Sequence, residues 1–337
     1  MITQIIRKEM LQGKEIIEYS MKNDHLEVRF LNIAGAITKI ALAADNYEQN
    51  LVLNYENSED YLTDAAYLNA IIGRTSNRIA NGVFALDGKE IQVDINNGPH
   101  NLHGGSQSLA NTIFDVIATD GGYSLQTTLP HQENGFPGNL NVTVYYRLVD
   151  NKLKITYKAL TDQVTIVNLT QHAYFNLSGN LERTIYDHQL EIKATHIAEI
   201  DETSGFTKNL IPVGKTRFDF NAPTIINPKD KPGHYTFDYA TGYDHLFILD
   251  PDAKTAAIFK DLQSGRTLKV TTTEPAMQFY ASNYVTDELL FEGGRIGEKH
   301  LGACFETHQI PFDYDSQRLE PGEVYTQETS FEFTIEK

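Results

Sequence analysis

Hydrophobic and polar residues alternate with a period of two over most of the chain. Between Lys152 and Lys158, Leu153, Ile155 and Tyr157 alternate with polar residues. The same pattern recurs at Leu26, Val28 and Phe30, at Leu268 and Val270, and at Phe331, Phe333 and Ile335. Such alternation is typical of strands with one buried and one solvated face. The pattern therefore predicts a protein built mainly of β-strands.

Short turn sequences separate these runs, and helical signals are few. Asp87-Gly88 divides two alternating segments and predicts a tight hairpin, and Gly121-Gly122 and Ser264-Gly265 predict two further hairpin ends. Ser58 is a suitable N-cap for a short helix that would run to about residue 70. Residues 228–233, rich in proline and glycine, are typical of a turn.

The alternation continues from about residue 14 to about residue 336 without a change in composition. The sequence shows neither a regular strand–helix alternation nor a long internal repeat nor a low-complexity linker. We therefore predict an all-β fold, one large antiparallel β-sandwich with few short helices, and a single domain over residues 1–337. Two stacked β domains are the alternative, because 337 residues is about twice a typical domain length.

Charge and composition narrow the choice of partners. The formal net charge is −17, which disfavours nucleic acid, anionic membrane surfaces and polyanionic sugars but leaves neutral ligands open. The single cysteine, Cys304, excludes an internal disulfide and fits a reducing compartment. The first ten residues are too polar for a signal peptide, and no stretch of about 18 apolar residues occurs. We expect a cytoplasmic protein, either a monomer or a homodimer.

Seven segments interrupt the alternation with polar, glycine and aromatic residues, which is where functional groups on a sheet scaffold tend to lie. They are GRTSNRIANG (73–82), NLHGG (101–105), NGFPGNL (134–140), NLTQHAYFNLSG (168–179), TGYDHLF (241–247), PAMQFYASN (275–283) and CFETHQIP (304–311).

For each of five ionisable residues in these segments, the sequence is compatible with either a functional role or a purely structural role. His172 lies among apolar and aromatic residues, where an imidazole is either a tunable acid or base or a core histidine. His103 precedes two glycines and is either a ligand contact or a turn residue. Glu306 is either a buried base or half of an ion pair. Asp244 either binds sugar hydroxyl groups or is a turn residue at the entry to a strand. Arg78 either binds sugar hydroxyl groups or is a surface charge or part of an ion pair.

Other chemistries fit less well. Metal-ligand spacings, phosphate-binding glycine loops and a nucleophile elbow do not occur in the sequence, so it implies no cofactor and no metal. Cys304 follows an apolar pattern typical of a small core residue rather than a nucleophile. Two histidines, two carboxylates and an arginine, interleaved with aromatic residues, suit a neutral sugar. The residues by themselves therefore predict a neutral carbohydrate site on a β-sandwich.

These segments resemble the aldose 1-epimerase family, also called the galactose mutarotases. GRTSNRIANG resembles the arginine-bearing segment of the family, NLHGG its first histidine segment and NLTQHAYFNLSG its second. TGYDHLF resembles the aspartate segment, PAMQFYASN the glutamine-bearing strand and FETHQIP the glutamate segment. The resemblance covers essentially the whole chain, with the segments in the order of the family.

The resemblance implies a galactose mutarotase-like supersandwich that interconverts the α and β anomers of neutral hexoses such as galactose and glucose. It implies that His172 is the general acid, that Glu306 is the general base and that His103 assists near the ring oxygen of the sugar. It assigns substrate binding to Asn77, Arg78, Tyr174, Asp244 and Gln278.

Three positions depart from the family pattern and concern substrate preference more than the reaction. They are Gln171, His308 and Phe312. Two other functions stay open at this point. An epimerase of a phosphorylated hexose needs a basic cluster, for which the segments offer Arg74 and Arg78. A non-catalytic sugar-binding protein does not need both His172 and Glu306.

Overall fold

The alternating segments form strands with the expected burial. In strand Lys152–Thr161, Leu153, Ile155 and Tyr157 are buried, and Lys154 and Thr156 between them are partly exposed. The structure is a computed structural model that describes residues 1–227 and 232–336. Neighbouring strands pair antiparallel, which confirms the prediction of an all-β antiparallel protein.

Strands are numbered in chain order, and the largest sheet has nine of them. In spatial order they are β10 (Asp115–Thr119), β11 (Gly122–Leu129), β12 (Leu140–Val149), β13 (Lys152–Thr161), β29 (Tyr325–Ile335), β23 (Arg266–Thr272), β22 (Ala257–Asp261), β17 (His188–Ile192) and β20 (Thr224–Ile225). The C-terminal strand β29 lies in the middle of this sheet, so the last described residues complete its centre.

A second sheet has six strands and carries much of the site described below. In spatial order they are β16 (Tyr174–Phe175), β27 (Ala303–His308), β24 (Ala276–Tyr280), β21 (Asp244–Leu249), β18 (Ala194–Ile200) and β19 (Phe206–Pro212). Strands β24 and β27 are buried at every position.

The remaining strands form one four-stranded sheet and five two-stranded pairs. The four-stranded sheet contains β1 (Ile2–Leu11), β2 (Lys14–Lys22), β3 (Leu26–Leu31) and β4 (Ile37–Leu42). The pairs are β5 (Ile71–Ile72) with β15 (Thr170–Gln171), β6 (Arg78–Ile79) with β9 (Asn101–Leu102), β7 (Val83–Leu86) with β8 (Lys89–Gln92), β14 (Thr165–Ile166) with β28 (Arg318–Leu319), and β25 (Leu290–Phe291) with β26 (Arg295–Ile296).

The main core lies between the nine-stranded and the six-stranded sheets. Phe305 of β27 packs against Phe259 of β22, with ring centroids 5.3 Å apart, and Phe175 of β16 packs against Phe331 of β29 at 5.0 Å. Both pairs belong to one continuous apolar cluster. Two sheets packed face to face over a shared core form a β-sandwich, as the sequence predicts.

The three predicted hairpins are present, and Asp87-Gly88 is the two-residue turn between β7 and β8. The predicted helix from Ser58 to about residue 70 is wrong. A 3₁₀ helix covers Ser58–Leu62, and Asn57 rather than Ser58 stands at its N-cap. The carboxylate of Asp64 accepts hydrogen bonds from the backbone N–H groups of Ala66 and Leu68. These bonds hold the backbone in turns and compete with a continued helix.

Helices are short throughout the described ranges. The α-helix α1 covers Tyr235–Tyr239, and further 3₁₀ helices cover Ala43–Asp45, Ala80–Gly82, Leu109–Asn111, Glu133–Gly135, Ile185–Asp187 and Glu292–Gly294. Within those ranges, no helix has the length and apolar character needed to span a membrane. Most of the predicted turn at 228–233, residues 228–231, lies outside the described residues.

Gly104 illustrates how tightly the loop after β9 is packed. A Cβ atom at this position would lie 2.6 Å from backbone atoms of Gly73 and Arg74, and the φ angle is +85°. Gly88 has a similar φ of +69°, but a Cβ there meets nothing within 4 Å. Both glycines avoid left-handed strain, and Gly104 also permits a close backbone approach.

We therefore expect Gly104→Ala to destabilise the protein by more than Gly88→Ala. Left-handed strain costs both variants about 1–2 kcal/mol, and only Gly104→Ala adds a clash with backbone atoms. Urea unfolding of the two variants measures the difference in the free energy of unfolding. Equal losses in the two variants would contradict the packing described for this loop.

Candidate active site

Strands β24 and β27 present polar side chains on the face turned away from the main core. Glu306 of β27 lies opposite Gln278 of β24, and Cys304 lies opposite Tyr280. Since side chains alternate along a strand, Phe305, which lies between Cys304 and Glu306 in β27, points into the core. One face of these two strands therefore packs into the main core, and the other face supplies Gln278, Tyr280 and Glu306 to the cavity described below.

His172 occupies the connection between β15 and β16. Its backbone N–H donates to the carbonyl of Ala70 at 2.9 Å, which fixes the chain at this point. Its ring packs on Tyr174, with centroids 5.0 Å apart, and its Nε2 lies 3.5 Å from Oε1 of Glu306. The backbone bond and the aromatic contact together hold the imidazole against the glutamate.

His103 and Asn77 position each other across the β6–β9 pair. The backbone N–H of Asn77 donates to Nδ1 of His103 at 3.2 Å, and the backbone N–H of His103 donates to the carbonyl of Asn77 at 3.1 Å. The His103 ring contacts Tyr67 at 4.7 Å and His172 at 5.4 Å between centroids. Because Nδ1 accepts a hydrogen bond, the neutral ring carries its proton on Nε2.

A row of hydrogen bonds connects three of the other predicted binding residues. Nδ2 of Asn77 donates to Oε1 of Gln278 at 2.9 Å, and Nε2 of Gln278 donates to Oδ1 of Asp244 at 2.6 Å. Arg78 follows Asn77 in the chain, and its Nε donates to Oδ1 of Asn97 at 3.1 Å. These bonds orient each amide, so the row presents defined donors and acceptors.

All these groups border one cavity of about 770 Å³. The eight residues singled out from the sequence all line it: Asn77, Arg78, His103, His172, Tyr174, Asp244, Gln278 and Glu306. The hydroxyl of Tyr174 donates to the carbonyl of Ala66 at 2.7 Å, so this tyrosine contributes a ring wall rather than a free hydroxyl.

The sequence matches the family model described as Aldose 1-epimerase over residues 18–332. A galactose mutarotase from Sus scrofa is 33% identical over 343 residues, which cover 99% of this chain and 99% of that protein. The chain belongs to the aldose 1-epimerase family. An aldose 1-epimerase from Escherichia coli K12 is 32% identical, with 87% of each chain covered.

A solved structure agrees with this membership. The crystal structure of a galactose 1-epimerase from Lactobacillus acidophilus NCFM matches with a TM-score of 0.88 and 26% sequence identity, over 100% of this chain and 99% of that one. This match and the family model confirm the predicted aldose 1-epimerase resemblance and its mutarotase-like β-sandwich.

Burial shifts the pKa values of the two central groups of this epimerase-family chain in opposite directions. Burial raises the pKa of Glu306 well above its usual range, the carboxylate of Asp244 adds to the rise, and Arg78 opposes it. Burial lowers the pKa of His172 to about 4. Both shifts favour the uncharged forms, so a proton shared by the pair resides on Glu306.

His103, His172 and Glu306 also form a group that sequence spacing did not indicate, with ligand-type atoms within 4.8 Å of one another. Two histidines and a carboxylate form a donor set that is used for zinc. However, Asn77 already bonds Nδ1 of His103, so the remaining nitrogen presents a proton rather than a lone pair. The arrangement fits hydrogen bonding to oxygen atoms better than metal binding.

Sequence reasoning missed several wall residues of the cavity. Tyr280 follows Gln278 by two positions on the same strand, so the period of two indicates that it shares the face of Gln278. Tyr67 offered no such signal, because it lies in the segment predicted to be helical. Additional lining residues are Ala65, Ala66, Asn96, Asn97, Leu102, Ser204, Tyr284, Val285, Thr286, Glu288 and Leu289.

The three departures from the family pattern lie outside this cavity lining. Gln171 points into the core, where its Oε1 accepts a hydrogen bond from the hydroxyl of Tyr146 at 2.7 Å. His308 is buried and its Nδ1 bonds the carbonyl of Gln309 at 2.7 Å. Phe312 packs on Phe206, with centroids 5.4 Å apart. Each of the three is held by contacts within the protein.

We expect the stability of Glu306→Gln, relative to the wild type, to increase as the pH rises. A carboxyl group whose pKa is raised on folding stabilises the protein below its unfolded pKa of about 4.5, and this contribution is lost as the pH rises toward the folded pKa. The amide introduced by Glu306→Gln does not titrate, so the stability of this variant has no pH-dependent contribution from position 306. Urea unfolding at pH 5 and pH 8 tests the sign, and an equal difference at both values would contradict the raised pKa.

Proposed function

We propose that the protein is an aldose 1-epimerase that interconverts the α and β anomers of neutral hexoses such as galactose and glucose. The observation that supports this most directly is the pair formed by Nε2 of His172 and Oε1 of Glu306, which lie 3.5 Å apart at the wall of the cavity. One buried acid and one buried base, able to exchange a proton, are what opening and closing a hemiacetal ring requires.

The reaction proceeds in two proton-transfer steps. Glu306 removes the proton of the anomeric hydroxyl while the His172 imidazolium protonates the ring oxygen, and the ring opens to the aldehyde. After rotation about the C1–C2 bond, His172 takes the proton back from the C5 hydroxyl, and Glu306 returns its proton to the former carbonyl oxygen. The chemistry requires neither a metal nor a redox cofactor.

Binding the sugar prepares the pair for this cycle. Before the sugar binds, the shared proton resides on Glu306. It moves to His172 when the sugar binds, because the anomeric hydroxyl donates a hydrogen bond to the resulting Glu306 carboxylate and stabilises its negative charge. His103 donates its Nε2 proton to the sugar near the ring oxygen. Burial and the neighbouring His172 lower the pKa of His103 well below its usual value, so His103 assists as a neutral donor.

The far end of the cavity recognises the remaining hydroxyl groups. Arg78 and Asn77 donate hydrogen bonds to them. The Oδ1 atom of Asp244 is occupied by Gln278, so Oδ2 is the oxygen that accepts from the sugar. Fixed donors and acceptors of this kind discriminate between hydroxyl positions, because a mismatched hydroxyl leaves a buried group unpaired.

The cavity charge supports a neutral rather than a phosphorylated sugar. Among the described lining residues, Arg78 is the one lysine or arginine, and the same lining contains the carboxyl groups of Asp244, Glu288 and Glu306. Arg74, the second arginine considered for a phosphate, is buried and donates to backbone carbonyls that include those of Leu129 and Gly138. A phosphate dianion would therefore meet one arginine among three carboxyl groups and no basic cluster in the described lining.

We propose that residues 1–337 act as one aldose 1-epimerase domain. A cytoplasmic location is supported by Cys304, the one cysteine of the sequence, which is a buried free thiol. A monomer or homodimer without nucleic-acid or membrane partners remains our prediction.

We expect Glu306→Gln and His172→Asn each to lower kcat by about 10²- to 10⁴-fold while sugar binding persists, because general acid–base groups contribute about that much. Polarimetry of freshly dissolved α-galactose and α-glucose measures the rate, and calorimetry measures binding. A folded, sugar-binding Glu306→Gln variant with near wild-type mutarotation would overturn the assignment of the base.

The double variant provides the control for this pair. Because the acid and the base act in one cycle, its loss should be much smaller than the product of the two single losses. Multiplicative losses would show that the two residues act independently. A protein that binds sugar but never accelerates mutarotation would be the non-catalytic binder considered from the sequence.

We expect Asp244→Asn mainly to raise KM, by about ten- to a hundredfold, because a charged hydrogen bond is worth about 1.5–3 kcal/mol. The Asn side chain keeps the shape of Asp244 but lacks the charge. Asp252→Asn, at an exposed position outside the cavity, is the matched control. An unchanged KM in Asp244→Asn, or an equal rise in the control, would remove Asp244 from the binding site.

A further inference from the structure

The thiol of Cys304 lies at Nδ1 of His172, the ring nitrogen that does not face Glu306. Its Sγ is 3.5 Å from Nδ1 of His172 and 4.0 Å from the carbonyl oxygen of the same residue. Strand pairing fixes this contact, because Cys304 pairs with Tyr174 of β16, two residues beyond His172. The cysteine is fully buried, so protein atoms surround its sulfur.

We propose that Cys304 is a positioning residue for the reaction, and that its sulfur accepts the Nδ1 proton of His172 and thereby keeps Nε2 as the nitrogen that exchanges protons with the sugar. This inference rests on the proposed function, since it assigns a role within the acid–base cycle. In this proposal Cys304 has a role beyond packing in the core.

The proton balance of the cycle explains why Nδ1 needs an acceptor. His172 donates from Nε2 and recovers the proton there, so its neutral form in the cycle retains the proton on Nδ1. A ring nitrogen that keeps its proton in a buried site requires a hydrogen-bond acceptor. The sulfur of Cys304 accepts this proton, and its own S–H is directed at the carbonyl oxygen of His172.

The thiol remains protonated throughout, which keeps this side of the ring neutral. Burial raises the pKa of Cys304 well above its usual value, and the carboxyl groups of Glu306 and Asp244 add to the rise. A carboxylate in this position would favour the imidazolium and hold its proton. A neutral, weakly accepting sulfur orients the ring and leaves the imidazolium a strong enough acid to release its proton.

The carbonyl of His172 itself also bonds the ring, which opposes the effect of burial on its pKa. The other side chains around the ring do not supply an acceptor. His103, Tyr67, Tyr174 and Tyr280 contact it through ring faces and edges, with centroids 5.0–6.2 Å away. Glu306 faces the opposite nitrogen, Nε2. Within the described part of the chain, Cys304 is therefore the side chain placed to bond Nδ1.

Cys304→Ala and Cys304→Ser separate positioning from packing, because the two replacements differ by one hydroxyl group. We expect Cys304→Ala to lower kcat by about three- to tenfold with little change in KM, since one hydrogen bond to the catalytic imidazole is lost. Cys304→Ser restores a donor and acceptor and should recover most of the rate. If packing alone matters, the serine variant is no faster than the alanine variant.

A spectroscopic measurement on the sugar-free protein tests the same contact without using activity. Nitrogen-15 NMR of histidine-labelled protein, with His172 assigned by difference against His172→Asn, should show a protonated Nδ1 in the wild type. Loss of that preference in Cys304→Ala and its return in Cys304→Ser support the proposal. A wild-type His172 with its proton on Nε2 alone overturns it.

Absence of mutarotation in the wild-type protein overturns the proposed function, whatever the NMR spectrum shows. Wild-type mutarotation with equal rates in Cys304→Ala and Cys304→Ser overturns the role of Cys304 and leaves the proposed function intact.

Discussion

The hydrogen-bonded register between β24 and β27 is the constraint on which the rest of the site depends. It places Gln278 opposite Glu306 and Tyr280 opposite Cys304, and it directs Phe279 and the residues between them into the sandwich core. A shift of one residue would exchange the two faces. Burying the phenylalanine face is strongly favourable, so the core holds the polar face in place at the cavity.

Burial of that polar face determines its chemistry. Glu306 and His172 are both almost inaccessible to solvent, and desolvation favours their uncharged forms. A single proton can then pass between two groups whose charged states are both costly. The low effective dielectric also strengthens hydrogen bonds to a ligand, so binding a sugar can redistribute that proton.

The other half of the site flanks the short β6–β9 pair, where backbone contacts fix the chain. The backbone N–H of His103 donates to the carbonyl of Asn77, and the backbone N–H of Asn77 donates to Nδ1 of His103. Gly104 allows their loop to approach the backbone at Gly73. The hydrogen bond from Asn77 to Gln278 then connects this loop to the sheet. Loop and sheet thus form one rigid polar wall, which favours preorganised recognition of a small ligand.

The sequence by itself determined the all-β class, the strand faces and the hairpins, because a period of two and short turn motifs are local properties. It also located the eight candidate residues, through breaks in that period and through family resemblance. It failed at Ser58, where the carboxylate of Asp64 redirects the backbone into turns, and it missed Tyr67 in the same segment.

Only the tertiary structure decided which of these residues meet and in what state. Glu306 and His172 are 134 positions apart in the sequence numbering (306 − 172), and sheet pairing brings them to 3.5 Å. The grouping of His103 with that pair, the row from Asn77 to Asp244 and the sulfur at Nδ1 of His172 are also contacts between distant segments. Their pKa shifts depend on burial and on through-space charges, which no local pattern encodes.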